Sequence, residues 1–225
     1  MAPTPVTIVL VRHATSTANV DPTVYLRTPD HSIPLAFPED DPAALRVGDF
    51  VRNLGLSPDD VCSWSSTYER CRQTEQLVMR RAFGDLWSGI RGRESFLLRE
   101  QEFGDWDGLS ALEIRARDPE RAEKRQRLLD AQGRFYFRFP GGESRADVVQ
   151  RMSIFLGKLH RTEYRHHVVF LHGVTQRAFR MSWFDRSPEW FEQEPNPGNA
   201  SVVVIARGAD GRWAERRVET NQTSP

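Results

Sequence analysis

Ile8-Val9-Leu10-Val11-Arg12-His13-Ala14-Thr15-Ser16-Thr17-Ala18-Asn19 is an apolar, β-branched run that ends in Arg-His and passes into small hydroxyl residues and an Asn. The run predicts a buried strand, and the residues after it predict a loop opening a helix. Arg12 and His13 then stand at the carboxyl end of a strand, with Ser16 to Asn19 at a helix start. In an open α/β sheet ligands bind beyond the carboxyl ends of the strands, and a helix start offers unpaired N–H groups to an anion. An imidazole placed there can attack an electrophilic phosphorus while a neighbouring guanidinium neutralises the phosphoryl oxygens. A basic pair that merely closes a strand is the competing reading of the dipeptide alone.

Strand and helix signals alternate through the rest of the chain. The Pro- and Asp-rich stretch Asp21 to Pro42 predicts a long loop. Asp41-Pro42 is an N-cap with Pro at the first helical position, and that helix stops at Gly55. Val61 to Trp64 predicts a strand, Tyr68 to Phe83 a helix, and Glu94 to Leu98 a third strand. Gly104 and Gly108 frame a turn around Trp106, and Leu109 to Phe139 has the look of an insertion. Within it, helix signals pass through Leu112 and Ile114 and restart at Asp118-Pro119; the charged run Arg121 to Arg127 predicts a solvated face. Phe135 to Phe139 is apolar enough to pack back on the body or line a mouth, and packing is the expected role.

Ser144 and Asp147 have the form of a capping box, ahead of Val148, Met152, Phe155, Leu156 and Leu159 on one helical face. His160, His166 and His167 lie off that stripe and are expected at the surface or a helix end. His167 to Leu171 predicts a buried strand ending at His172-Gly173, followed by helices over Val174 to Phe184 and from Ser187-Pro188. Asn199 to Ala206 predicts the last central strand, and Arg212 to Glu219 an antiparallel edge strand after the Asp210-Gly211 turn. The expected fold is α/β: a three-layer sandwich, with a mostly parallel central sheet, helices on both faces and a capping insertion.

At 225 residues the chain predicts one domain, residues 1–225. Lys+Arg and Asp+Glu balance at 31 each, so no global field directs it to nucleic acid or a membrane, and any anion preference must be local. Two cysteines, Cys62 and Cys71, make no disulfide framework, and no metal-type Cys/His spacing occurs. Met1 to Pro5 lacks a basic leader region, and the apolar run behind it is too short for a signal or a span. A cytoplasmic protein is expected, with no metal, no cofactor, and a small phosphorylated substrate as its partner.

Arg12-His13-Ala14-Thr15-Ser16 with Asn19 resembles the signature of the histidine phosphatase superfamily, the phosphoglycerate-mutase-like family, with Ala14 where Gly is usual. Three more blocks match in the family's order: Ser65 to Thr74 around Arg70, Leu98 to Gly108 around Glu100, and Val168 to Val174 around His172-Gly173. The resemblance spans about Val6 to Ala206. It implies a catalytic set of His13, Glu100, Arg12, Arg70 and His172, and a phosphate cradle of Arg12, Ser16, Asn19, Arg70, His172 and Gly173. It also implies that a cap, about residues 104–143, tunes substrate choice, and that Tyr25 and Thr28 to Leu35 form a loop beside the mouth. His31, in that loop, is expected to be solvated.

Phosphoryl transfer through a histidine makes definite demands. The ester dianion must be neutralised without consuming the nucleophile, and Arg suits this because its planar fork donates two parallel hydrogen bonds and stays charged. His13 must be unprotonated on its attacking nitrogen, with the other nitrogen's proton held by an acceptor such as a backbone carbonyl. Glu100 matches the family's acid/base position, with Glu102 as second choice; burial and the substrate's charge should raise its pKa, against the arginines. A phosphatase is the leading expectation. A 2,3-bisphosphoglycerate-dependent mutase is the alternative, disfavoured because Val20-Asp21-Pro22 and Gln101 to Trp106 depart from the mutase pattern. A non-catalytic phosphate-binding module is a third reading.

Overall fold

The computed structural model describes residues 6–218; the leader stretch Met1 to Pro5, and Glu219 at the end of the expected edge strand, lie outside them. The strands are β1 (Thr7–Arg12), β2 (Val61–Ser65), β3 (Arg91–Glu94), β4 (His166–Leu171), β5 (Val202–Arg207) and β6 (Trp213–Val218). They form one six-stranded sheet in the order β3-β2-β4-β1-β5-β6. The first four run parallel, while β5 is antiparallel to β1 and β6 to β5. The tight Asp210-Gly211 turn already required the β5–β6 reversal; the direction of β5 against β1 is set by the sheet.

The helices are α1 (Thr17–Val20), α2 (Pro42–Asn53), α3 (Glu69–Phe83), α4 (Ala111–Arg117), α5 (Pro119–Tyr136), α6 (Arg145–Leu159), α7 (Gly173–Phe184) and α8 (Pro188–Gln193). The period-two alternation of β1 sorts them. Ile8 and Leu10 join Val148, Met152 and Phe155 of α6 and Ala178 and Phe179 of α7. Val9 and Val11 join Ala44, Val47 and Val51 of α2 and Val78 and Met79 of α3. Each buried Val, Ile, Leu, Phe or Met side chain among them contributes roughly 1.5–3 kcal/mol of transfer free energy. The result is the expected three-layer α/β sandwich. On the second face, α2 crosses α3 at Gly48, where a Cβ would stand 2.5 Å from Arg81 Cβ and 2.9 Å from the Val78 carbonyl.

The capping signals hold. Asp41 accepts from the amides of Ala43 and Ala44 at 2.9 Å, and Ser144 and Asp147 close a capping box on α6. The third strand does not fall at Glu94–Leu98. It is Arg91–Glu94, and Phe96 to Leu98 form a 3-10 turn that buries Leu98. As an edge strand paired only with β2, β3 carries charged, mostly exposed side chains and shows no apolar alternation. His167 is also a correction: it is fully buried, with Trp64 Nε1 donating to its Nδ1 at 3.2 Å. Alternation along β4 turns the second of two adjacent histidines inward. The 21–42 loop holds two 3-10 turns, Pro22–Leu26 and Asp30–Ser32, and Leu35 bridges to Ser16.

The insertion folds as α4 and α5 around a small cluster of Trp106, Ile114 and Phe137, while Phe135 belongs to the main core. Its two ends meet as a stem: Asp105 N donates to the Pro140 carbonyl at 2.9 Å and Glu143 N to the Glu102 carbonyl at 2.8 Å. Gly104, at φ +59°, and Gly142 permit that approach, since a Cβ on either would run into the facing backbone at 2.0 or 2.4 Å. Among the described residues, no helix is long and apolar enough to cross a membrane.

Candidate active site

β1 and β4 end side by side, so parallel pairing alone brings His13 next to His172. His13 N donates to the Leu171 carbonyl at 3.0 Å and Ala200 N to the His13 carbonyl at 3.0 Å, which pins the backbone between β4 and β5. The two imidazole centroids are 5.1 Å apart, with the rings inclined at 62°. His13 Nδ1 lies 2.7 Å from the Ala14 carbonyl oxygen. A carbonyl only accepts, so the proton sits on Nδ1 and the Nε2 lone pair is bare. Burial first, then the Arg70 and Arg12 charges, holds the His13 imidazole well below its ordinary 6.5. The ring is therefore neutral at neutral pH.

His172 is fully buried behind His13, edge-on to the Tyr68 ring at 5.0 Å. Its Nε2 lies 2.9 Å from Ser66 Oγ and 3.4 Å from Cys71 Sγ. Burial pushes the Cys71 thiol up, so it stays an S–H and donates to the Leu171 carbonyl at 3.6 Å. With Nε2 occupied by Ser66, any donation from His172 to a bound anion falls to Nδ1.

A cleft of about 590 Å³ opens over His13 and is lined also by Arg12, Asn19, Arg70 and Glu100. Arg12 donates to the Pro197 carbonyl, which anchors the guanidinium to the loop before β5. Arg70, near the start of α3 and 2% exposed, is gripped by Asp30 of the 21–42 loop: its guanidinium lies 2.8 Å from the carboxylate and donates to the Asp30 carbonyl at 2.7 Å. Asn19 Oδ1 accepts from Ser16 N, Ser16 Oγ and Asn199 Nδ2, which leaves the Nδ2 protons for a ligand. Glu100 lies at the start of α7, where Val174 N donates to Oε2 at 3.2 Å and Thr175 Oγ1 to Oε1 at 3.3 Å.

Three of the expected cradle residues do not line the cleft: His172, fully buried behind His13, and also Ser16 and Gly173. Ser16 is fully buried as the cap of α1, and Gly173 acts by its missing Cβ, which would stand 2.5 Å from Asn196 Oδ1. Gly173 thus admits Asn196 to the rim. His31 is exposed outside the cleft, as expected. Glu102 points away and pairs with Arg99 at 2.8 Å.

Tyr25 and Asp30, from the loop expected beside the mouth, and Trp106 and Asp107, from the Leu98 to Gly108 block, line the cleft, together with Asn196, which carries no signal in the sequence. Below it, Glu143 accepts from Arg99 at 2.7 Å and from Arg151 at 2.9 Å, while Arg151 also donates to the carbonyls of Leu97 and Glu100 at 2.5 and 3.1 Å. That network holds the Leu97–Glu100 backbone and hence Glu100. Its one mark in the sequence is a carboxylate directly after a Gly-Gly turn. Burial lifts the Asp107 carboxyl, with the Asp30 charge adding to the effect.

Known proteins share this fold and much of this sequence. The chain is 34% identical to phosphoglycerate mutase-like protein AT74 of Arabidopsis thaliana, over 93% of this chain and 67% of that one. Its fold is that of alpha-ribazole phosphatase from Shigella flexneri (TM-score 0.71, 19% identity, 94% of this chain and 95% of that one). Mycobacterial glucosyl-3-phosphoglycerate phosphatase has the same fold (TM-score 0.68, 22% identity, 93% and 97%). The sequence model of the histidine phosphatase superfamily (branch 1) matches residues 8–220, and the chain belongs to that superfamily.

Proposed function

We propose that the protein is a metal-independent phosphomonoesterase that works through a phosphohistidine on His13. The observation that carries this reading is the His13 tautomer: Nδ1 is committed to the Ala14 carbonyl, and a neutral Nε2 is left beside the guanidinium groups of Arg12 and Arg70. In the first step the Nε2 lone pair bonds to phosphorus and the P–O ester bond breaks. Glu100 gives its proton to the departing alkoxide. In the second step water attacks the phosphohistidine, Glu100 takes back a proton, and the P–N bond breaks to release inorganic phosphate and neutral His13. Arg12 and Arg70 match the dianion's charge throughout, Asn19 and Nδ1 of His172 donate to its oxygens, and no metal is required.

The substrate's phosphate must displace the Asp30 carboxylate from Arg70, so binding and opening of the 21–42 loop are coupled. We read residues 104–143 as the cap of a single domain, closing over a small phosphorylated metabolite. The test is phosphate release from a panel of phosphomonoesters with and without chelator, together with acid-quench trapping of phosphoenzyme. Chelator-resistant release that His13→Ala eliminates, with a trapped phosphoenzyme in the parent protein, is the expected result. Turnover that needs a bisphosphorylated activator and isomerises the substrate would replace this reading with a mutase. Binding without turnover would leave a phosphate-sensing module.

A further inference from the structure

Next to the phosphate cleft lies a second chamber of about 590 Å³. The two share Phe103, Arg125, Phe139, Val174 and Asn196 as common walls, so one ligand can occupy both. Arginine dominates the polar side of the second chamber. Arg145 is matched there by Glu192 at 2.6 Å, and the Glu194 carboxylate is taken by Arg180 and Arg217. Arg177, Arg125 and Arg134 have no carboxylate partner among the described residues.

Arg177 is the most telling of the three. It projects from α7, is only 6% exposed, and lies 4.7 Å over the Phe191 ring. One Nη donates to the Glu194 carbonyl at 3.2 Å, but Nε is buried with no partner. Glu100, Glu192 and Glu194 act on the Arg177 charge from a distance, but a buried guanidinium with no direct carboxylate partner is expensive to keep. An oxyanion seated in the chamber would supply a direct ionic partner and the missing acceptor for Nε.

We propose that this chamber is a second anion subsite anchored by Arg177, and that the substrate is a phosphomonoester carrying a second oxyanion. The phosphate faces His13, and the other group, a phosphate or a carboxylate, reaches Arg177. Phe103, Phe139 and Val174 flank the short spacer between them. Arg134 at the outer rim and Arg125 on the shared wall add charge without holding the ligand rigidly. The inference rests on the phosphatase reading for its chemistry, but the subsite itself can be tested by binding alone.

The probes are alkanediol monophosphates, the matching α,ω-bisphosphates, and ω-carboxyalkyl phosphates of graded chain length. At the best length, the bis-anionic ester should exceed the monophosphate in kcat/KM by about tenfold or more, as a desolvated charge-assisted pair allows. Which of the two bis-anionic series wins identifies the second group. Arg177→Gln should collapse that ratio, mainly through KM, and Arg134→Gln, at an exposed position, should lower it in part. Equal hydrolysis of all three series by the parent protein would overturn the proposal, as would an unchanged ratio in both variants. Release from p-nitrophenyl phosphate separates the two claims, since its absence indicts the phosphatase reading. In that event calorimetric binding of the alkane bisphosphates to the parent protein decides the subsite, which fails if they bind no tighter than the monophosphates.

Discussion

At the carboxyl rim of the sheet, His13 and His172 are 4% and 0% exposed, and the backbone around them is held by neighbouring strands. In the cap, α5 buries Phe135 alone and turns most of its charged side chains to solvent. Rings that must meet at a fixed distance are placed where parallel pairing leaves the chain no freedom. The inserted helices hang from a pinched stem, and the cluster they share is small. Under the proposed function the rim carries the chemistry and the insertion the choice of substrate. Substitutions at the rim should change the rate for every substrate, and substitutions in the cap should change which substrate is preferred.

The strongest break in that comparison comes from the rim. His13→Ala should reduce phosphate release to background and remove the trapped phosphoenzyme. Glu100→Gln should lower kcat by about 10²–10⁴-fold on esters with poor leaving groups, and by much less on p-nitrophenyl phosphate, whose leaving group needs little protonation. Next comes the support beneath Glu100. Glu143→Ala strands Arg151 and Arg99 without their shared carboxylate and should cost about 3–5 kcal/mol in urea unfolding.

The buried imidazoles predict a pH dependence of definite sign. Burial holds His167 at about 4, and His13 and His172 also lie well below 6.5. The unfolded chain takes up these protons as pH falls past 6.5, and the folded chain does not. Stability is therefore full above 6.5 and lost on acidification, with His167 alone contributing about 1.4 kcal/mol per pH unit down to about 4. Denaturant midpoints at pH 7.5 and 5.5 should show the fall, and His167→Phe should flatten it. The acid limb of kcat/KM should not coincide with an ordinary histidine, because His13 stays neutral below 6.5.

Smaller effects sharpen the contrast. Asp30→Asn frees Arg70 from its resident carboxylate and should tighten competitive inhibition by inorganic phosphate by about 3–10-fold, a gain of about 1 kcal/mol. Arg121→Gln breaks an ion pair between α5 and Asp105 whose partners are 53% and 55% exposed. It should shift stability by less than about 1 kcal/mol and leave p-nitrophenyl phosphate turnover unchanged.

The residues legible in the sequence share one property: their signal is local. The run ending in Arg12-His13, the Asp41-Pro42 start and the Ser144–Asp147 box each announce themselves within a few positions. The misreadings concern partners supplied from a distance. β3 is a strand only because β2 pairs with it, and His167 is inside because Trp64, from another strand, donates to it. Asp30 and Glu143 look like ordinary loop carboxylates until α3 and α6 bring guanidinium groups to them. Gly173 reads as a phosphate contact, whereas its missing side chain makes room for Asn196.

The reversal of β5 also decides how the molecule can be handled. Val202 pairs with Val11 and with Val218, so β6 finishes on the catalytic edge, whereas β1 begins at the far edge beside Ala206. A reporter or affinity handle fused ahead of Val6 leaves from the side remote from the mouth. One fused directly after Val218 leaves two strands away from β1 on the same side as the mouth.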